Sequence, residues 1–209
     1  MDFLIFQIII LIFSIVLHEV SHGWVANSLG DPTAKNAGRL TLNPLPHIDP
    51  IGSLALPLFL VVMSSITGGG IIFGWAKPVP VNPANLRDQK WGGAWVSLAG
   101  PASNLAVALI FGLLLRFFGG DVLTPTLALL FGYIAYINIL LAVFNLLPIP
   151  PLDGSRVFFS LLPASFHSVK IFLSQYGFIV LLLLVFFFFQ VISLLVNGIF
   201  RFLVGSSLF

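Results

Sequence analysis

Residues 15 to 24 read IVLHEVSHGW, and within them His18, Glu19 and His22 make an H-E-x-x-H pattern. On an α-helix, positions four apart share one face, about 5–6 Å from each other. Both imidazoles can therefore reach a single zinc ion, at about 2.0–2.1 Å each. Glu19 stands about 100° round the helix from His18, so it borders the same place without having to bind the metal. That position suits a general base acting on water activated by the metal. The rival reading is a pair of surface histidines and a glutamate at a membrane edge. The stretch upstream argues for chemistry: FLIFQIIILIFSIVL, residues 3 to 17, has Gln7 and Ser14 as its only polar residues. Ionisable groups in such a segment cost about 2.5–3.5 kcal/mol for Asp, Lys or Arg and are functional by default.

A catalytic zinc takes three protein ligands and keeps one position open. The chain has no cysteine, so disulfides and thiolate sites are excluded and the third ligand must be His, Asp or Glu. Glu19 is the only glutamate, which leaves Asp2, Asp31, Asp49, Asp88, Asp121 and Asp153 as acidic candidates. Asp153 stands out in FNLLPIPPLDGSR, residues 144 to 156. Pro148, Pro150 and Pro151 stop the preceding helix, and Gly154 permits a sharp turn into a new one. The alternative for Asp153 is an ordinary Asp-Gly turn with a capping role. His47 and Asp49, in PHIDP, are rival ligands, with a loop histidine and a capping aspartate as their plainer reading. His167 falls in a short polar link.

These residues need elements to carry them, and composition says where those elements lie. Of 209 residues, 58% are hydrophobic and 8% charged, with a mean hydropathy of +1.09. A soluble domain carries about a quarter charged residues, so this chain cannot clothe a water-facing surface. Its net charge of +2 comes without a basic run, which excludes nucleic-acid binding. The expected fold is a polytopic α-helical membrane protein of about 5–6 membrane segments, forming a single domain over residues 1–209. The first helix spans about 3–26 and carries the His-Glu-His cluster. It lacks the basic start of a signal peptide and is expected to be retained. Further helices are expected over about 91–118, 126–147, 169–189 and 190–204, the last two divided near Gln190. Between the first two lies a β or re-entrant region, about 36–85. Its stretches GRLTLNP (38–44) and KPVPVNP (77–83) alternate polar or small with apolar residues and are expected to pair as short strands lining a cavity. Residues 51–66 are too short for a comfortable span and are expected to insert partway.

Three motifs together resemble the site-2 protease family of intramembrane zinc metalloproteases. They are H-E-V-S-H at 18–22, A-G-P-A-S-N at 99–104 and N-L-L-P-I-P-P-L-D-G at 145–154, in the family's order and spacing. The likeness covers most of the chain and is closest to short members without PDZ or CBS domains. It implies one catalytic Zn2+ held by His18, His22 and Asp153, with Glu19 as catalytic base and proton shuttle. Asn145 is implied to hydrogen-bond the substrate carbonyl or oxyanion. Asn104 is a further candidate for substrate contact, or a residue that ties helices together. The implied activity is hydrolysis of a peptide bond in or near the transmembrane segment of another membrane protein. The extended stretches would hold that substrate open by strand addition.

If His18 and Asp153 meet one ion, the end of the first helix and the end of the third lie on one side of the membrane. Lys35, Arg39, Lys77, Arg87, Lys90, Arg156 and Lys170 fall on or near that side, which the positive-inside rule makes cytoplasmic. The expectation is a multi-pass protein of the cell membrane with its active site near the cytoplasmic face. Its partners are the lipid bilayer and a transmembrane protein substrate. Two rivals are a metal transporter, which would need ligands on both sides of the midplane, and a non-catalytic relative, which need not keep Glu19. Neither the substrate nor the oligomeric state is legible in the sequence.

Overall fold

The computed structural model describes residues 2–55, 59, 76–119 and 122–205. Among the described residues, four helices are long and apolar enough to cross a membrane: α1 (Asp2–Ser28), α3 (Gly92–Phe118), α4 (Pro125–Asn145) and α6 (His167–Val204). Two shorter helices accompany them, α2 (Thr33–Asn36) and α5 (Asp153–Leu161). The chain is thus a helical integral membrane protein. Its outer faces are apolar because lipid is their solvent: Phe117, Phe186 and Phe202 are all more than two-thirds exposed.

α3 is the central element and packs against α1, α4, α5 and α6. Small residues let it do so. Ala108 of α3 and Ala135 of α4 are fully buried, and they meet Ile139, Ile192, Val196 and Phe200 in the main apolar cluster. Without a hydrophobic drive between helices in lipid, close backbone approach and packing must supply the attraction. A second cluster seats Ile149 and Leu152 of the proline-rich turn against Leu181 of α6, which fixes the loop that leads to Asp153.

The helix termini follow the sequence signals. Thr124 accepts from the Leu127 N–H and Pro125 opens α4. Pro101 stands inside α3. It has no N–H to give the Ser97 carbonyl one turn back, a loss that packed helices tolerate in membranes.

Two expectations change. The last two expected helices are joined in α6, 38 residues in which two helical stretches meet at a kink. Only Phe188 (φ −117°, ψ 15°) leaves helical geometry, two residues before the expected division. No Gly or Pro lies between Phe178 and Val196, so no turn residue marks the kink.

The expected strand pair is also different. Among the described residues no strand forms, and residues 38–44 and 77–82 are irregular. In the first stretch side chains satisfy the backbone locally: Thr41 Oγ1 accepts from the Asn43 N–H and Asn43 Oδ1 from the Leu45 N–H. In the second, Pro78, Pro80 and Pro83 remove ladder donors. The two regions join instead through the Lys77 N–H donating to the His47 carbonyl (2.9 Å) and Arg39 donating to the Lys77 carbonyl (2.7 Å). The partial insertion expected at 51–66 lies mostly outside the described residues; Pro50–Ala55 forms a short π-helical turn.

Candidate metal centre

The site is built where α1 crosses α3 in antiparallel fashion. Ser14, His18 and His22 lie four residues apart on α1, while Val96, Gly100 and Asn104 lie four apart on α3. Each set is therefore one face of its helix, and the two faces meet in reverse order. Asn104 pairs with Ser14 and His18, Val96 pairs with His22, and Gly100 sits between.

Each imidazole is fixed by its Nδ1. His18 Nδ1 lies 2.6 Å from Asn104 Oδ1, and His22 Nδ1 lies 2.7 Å from the Val96 carbonyl. Both partners are acceptors, so both rings carry their proton on Nδ1 and turn an Nε2 lone pair inward. The rings stand edge to face with centroids 4.6 Å apart. Asp153, the first residue of α5, brings Oδ2 to 3.0 Å from His18 Nε2 and 3.2 Å from His22 Nε2.

This donor set fits zinc. Two lone pairs and a carboxylate oxygen converge in a buried place, an arrangement that repels itself without a cation between them. Two nitrogens and an oxygen match the ligand types of catalytic zinc sites. The third observation is Gly100. A Cβ there would stand 2.5 Å from the Nε2 of both histidines, so only glycine leaves room where the ligand atoms meet. Among the described residues, His18, His22 and Asp153 are the one group of three able to hold a metal ion.

Behind the ligands runs a buried polar chain. Asn104 is fully buried, and its Nδ2 donates to Asn138 Oδ1 (2.8 Å) and the Ser14 carbonyl (3.2 Å). Asn138, also fully buried, donates to Ser14 Oγ at 2.9 Å and to the Ile134 carbonyl. All the hydrogen-bonding capacity of the Asn104 amide towards its neighbours is thus spent on His18 and on tying α1, α3 and α4 together. Of the two roles expected for Asn104, substrate contact or helix tie, its partners match the tie. Asn138, Gly100 and the Val96 carbonyl are site residues the sequence reading did not name. An asparagine in the middle of the apolar run of α4 was the available signal for Asn138.

The other candidates are placed as follows. Glu19 is half-buried, and its Oε2 accepts from the Val79 N–H at 2.8 Å. Asn145 ends α4, half-buried, with its amide donating to the Leu141 carbonyl of its own helix at 2.9 Å. His47 is buried, its Nε2 on the Thr41 carbonyl (3.0 Å) and its Nδ1 beside Arg39. Asp49 accepts from the N–H groups of Ile51 and Gly52. Both rivals for the metal are thereby occupied with holding their own loop. His167 is exposed at the start of α6. Asp31 is fully buried and accepts from Thr33, the Asn82 N–H and the Asn85 amide. Those bonds outweigh its burial and hold its carboxyl below the ordinary range.

Known proteins resemble the chain to different extents. A family model described as peptidase family M50 matches residues 117–184. The chain is 39% identical over 183 residues to YwhC of Bacillus subtilis, named a zinc metalloprotease, covering 85% of this chain and 78% of that one. It is 38% identical over 146 residues to Rip2 of Mycolicibacterium smegmatis, likewise so named, covering 68% of this chain and 51% of that one. A third, MJ0611 of Methanocaldococcus jannaschii, is 44% identical over 62 residues, which are 30% of this chain and 31% of that one. No solved structure matches the chain.

Proposed function

The chain belongs to peptidase family M50, the site-2 proteases, and from that membership we propose that it cleaves the transmembrane segment of another membrane protein near the cytoplasmic face of the cell membrane. It is an integral membrane enzyme, a zinc metalloprotease. In this reading residues 1–209 act as one catalytic domain, and His18, His22 and Asp153 are the ligands. When bound, the zinc lowers the pKa of a water towards about 7 and polarises the scissile carbonyl.

The rest of the chemistry belongs to the chain's own side chains. Glu19 takes a proton from the attacking water and hands it to the leaving amine. It neighbours His18 in sequence and stays half-buried, so it can reach the reacting atoms while solvent remains scarce. Asn145 offers an amide N–H to the oxygen on which charge develops, releasing the Leu141 carbonyl to do so. Asn104 and the Val96 carbonyl hold the imidazole protons on Nδ1 throughout.

What supports this reading above all is the convergence of His18 Nε2, His22 Nε2 and Asp153 Oδ2 across 135 residues of chain, with Glu19 one residue from the first of them. The test is Glu19→Gln. The purified variant is expected to hold zinc as the parent does and to cleave a transmembrane reporter at least about a hundredfold more slowly. Parent-like cleavage would exclude Glu19 as the base.

A further inference from the structure

Residues 77–82, K-P-V-P-V-N, form a strap held at three places. At one end the Lys77 N–H donates to the His47 carbonyl and the Lys77 carbonyl accepts from Arg39. At the other end the Asn82 N–H donates to Asp31 Oδ2 at 2.6 Å. Between them the Val79 N–H donates to Glu19 Oε2 at 2.8 Å. Pro78 and Pro80 flank Val79 and have no N–H, so Val79 supplies the only main-chain donor over 78–80.

The approach is close because α1 is bare at the next turn. A Cβ on Gly23 would stand 2.9 Å from Val79 Cγ1 and 2.6 Å from Leu40 Cδ2. The Val79 side chain is buried in that gap. Position and direction of the Val79 N–H are therefore set from three sides: by the tethers at Lys77 and Asn82, by the prolines, and by packing on Gly23. Glu19 makes no other hydrogen bond among the described residues.

We propose that the main-chain N–H of Val79 is a positioning group for Glu19; the proposal rests on the reading of Glu19 as the base. The N–H grips Oε2 and leaves Oε1 for the proton of the attacking water. A glutamate has three rotatable bonds, and its freedom must otherwise be lost each time the reaction occurs. The strap removes that loss in advance. It does so with a backbone group, which of the twenty residues only proline lacks.

The test uses the full chain, loaded with zinc, and a reporter containing a transmembrane segment. Val79→Pro removes the N–H within a run already flanked by prolines on both sides. Val79→Ala trims the side chain and keeps the N–H. Val79→Pro is expected to lose roughly tenfold to a hundredfold in kcat, with the parent's KM and zinc content, and Val79→Ala is expected to lose several-fold less. Equal losses in both variants, or parent kcat in Val79→Pro, overturn the proposal. Should Val79→Pro fail to hold zinc, the amide proton of Val79 decides the matter. It is observed in zinc-loaded protein labelled with 15N-valine and identified by its absence from Val79→Ala. Glu19→Ala is expected to move it upfield further than any other valine amide proton; no movement overturns the proposal. If instead the base assignment is what fails, Glu19→Gln cleaves like the parent while Val79 still responds to Glu19→Ala.

Discussion

Asn104 Oδ1 lies 2.6 Å from Nδ1 of His18, although the two are 86 positions apart in sequence. That contact decides which nitrogen of His18 faces the metal site, and it is anchored in turn by Asn138 and Ser14. The three proposed ligands are therefore backed by an amide chain through α1, α3 and α4.

Asn104→Ala is expected to lower zinc affinity about 10–100-fold, the usual cost of deleting a partner behind a metal-bound histidine. Asn138→Ala leaves the Asn104 amide short of one acceptor and is expected to cost less. Competition for zinc with a chelator of known affinity measures both. Parent affinity in Asn104→Ala would remove it from the metal site's support.

Gly100→Ala places a carbon 2.5 Å from both Nε2 atoms. The clash falls on the ligand atoms, so zinc content is expected to fall far below one per chain, while helix content by circular dichroism stays near the parent's. Alanine is the better helix former by about 1 kcal/mol, so a loss here cannot come from propensity.

The pH dependence of stability is expected to carry the mark of Asp31. Its carboxyl is held below the ordinary value in the folded chain. Its contribution is thus complete above the unfolded pKa, about 3.9, and is lost as pH falls through the lower folded value. The thermal transition of the detergent-solubilised protein should drop on acidification below about pH 4. Asp31→Asn should lower stability at neutral pH by about 1–3 kcal/mol, the worth of hydrogen bonds to a charged group, and should flatten that acid limb. An unchanged acid limb in Asp31→Asn would refute the assignment.

The sequence was most legible where chemistry and helix period coincide. His18 and His22 are four apart in a helix, so their shared face followed from spacing alone. The third ligand was different in kind. The prolines before Asp153 and the glycine after it singled it out among the acidic candidates, but no spacing rule joins it to the histidines; the family's motif did that. The strap was misread because alternation in KPVPVNP looks like a strand, while its prolines remove the donors a strand needs. Gly100 and Asn138 went unread for another reason: their roles are set by partners on other helices. The Gly100 cavity exists only once α1 is laid against α3. The kink at Phe188 falls within an apolar run that no turn residue marks.

The most direct measurement is a crystal structure of the zinc-loaded protein with anomalous data collected on both sides of the zinc absorption edge. The account predicts one strong anomalous peak, about 2.0–2.2 Å from His18 Nε2, His22 Nε2 and an Asp153 carboxylate oxygen. A peak held by other residues, such as His47 or Asp49, or a peak with Asp153 out of reach, would contradict it.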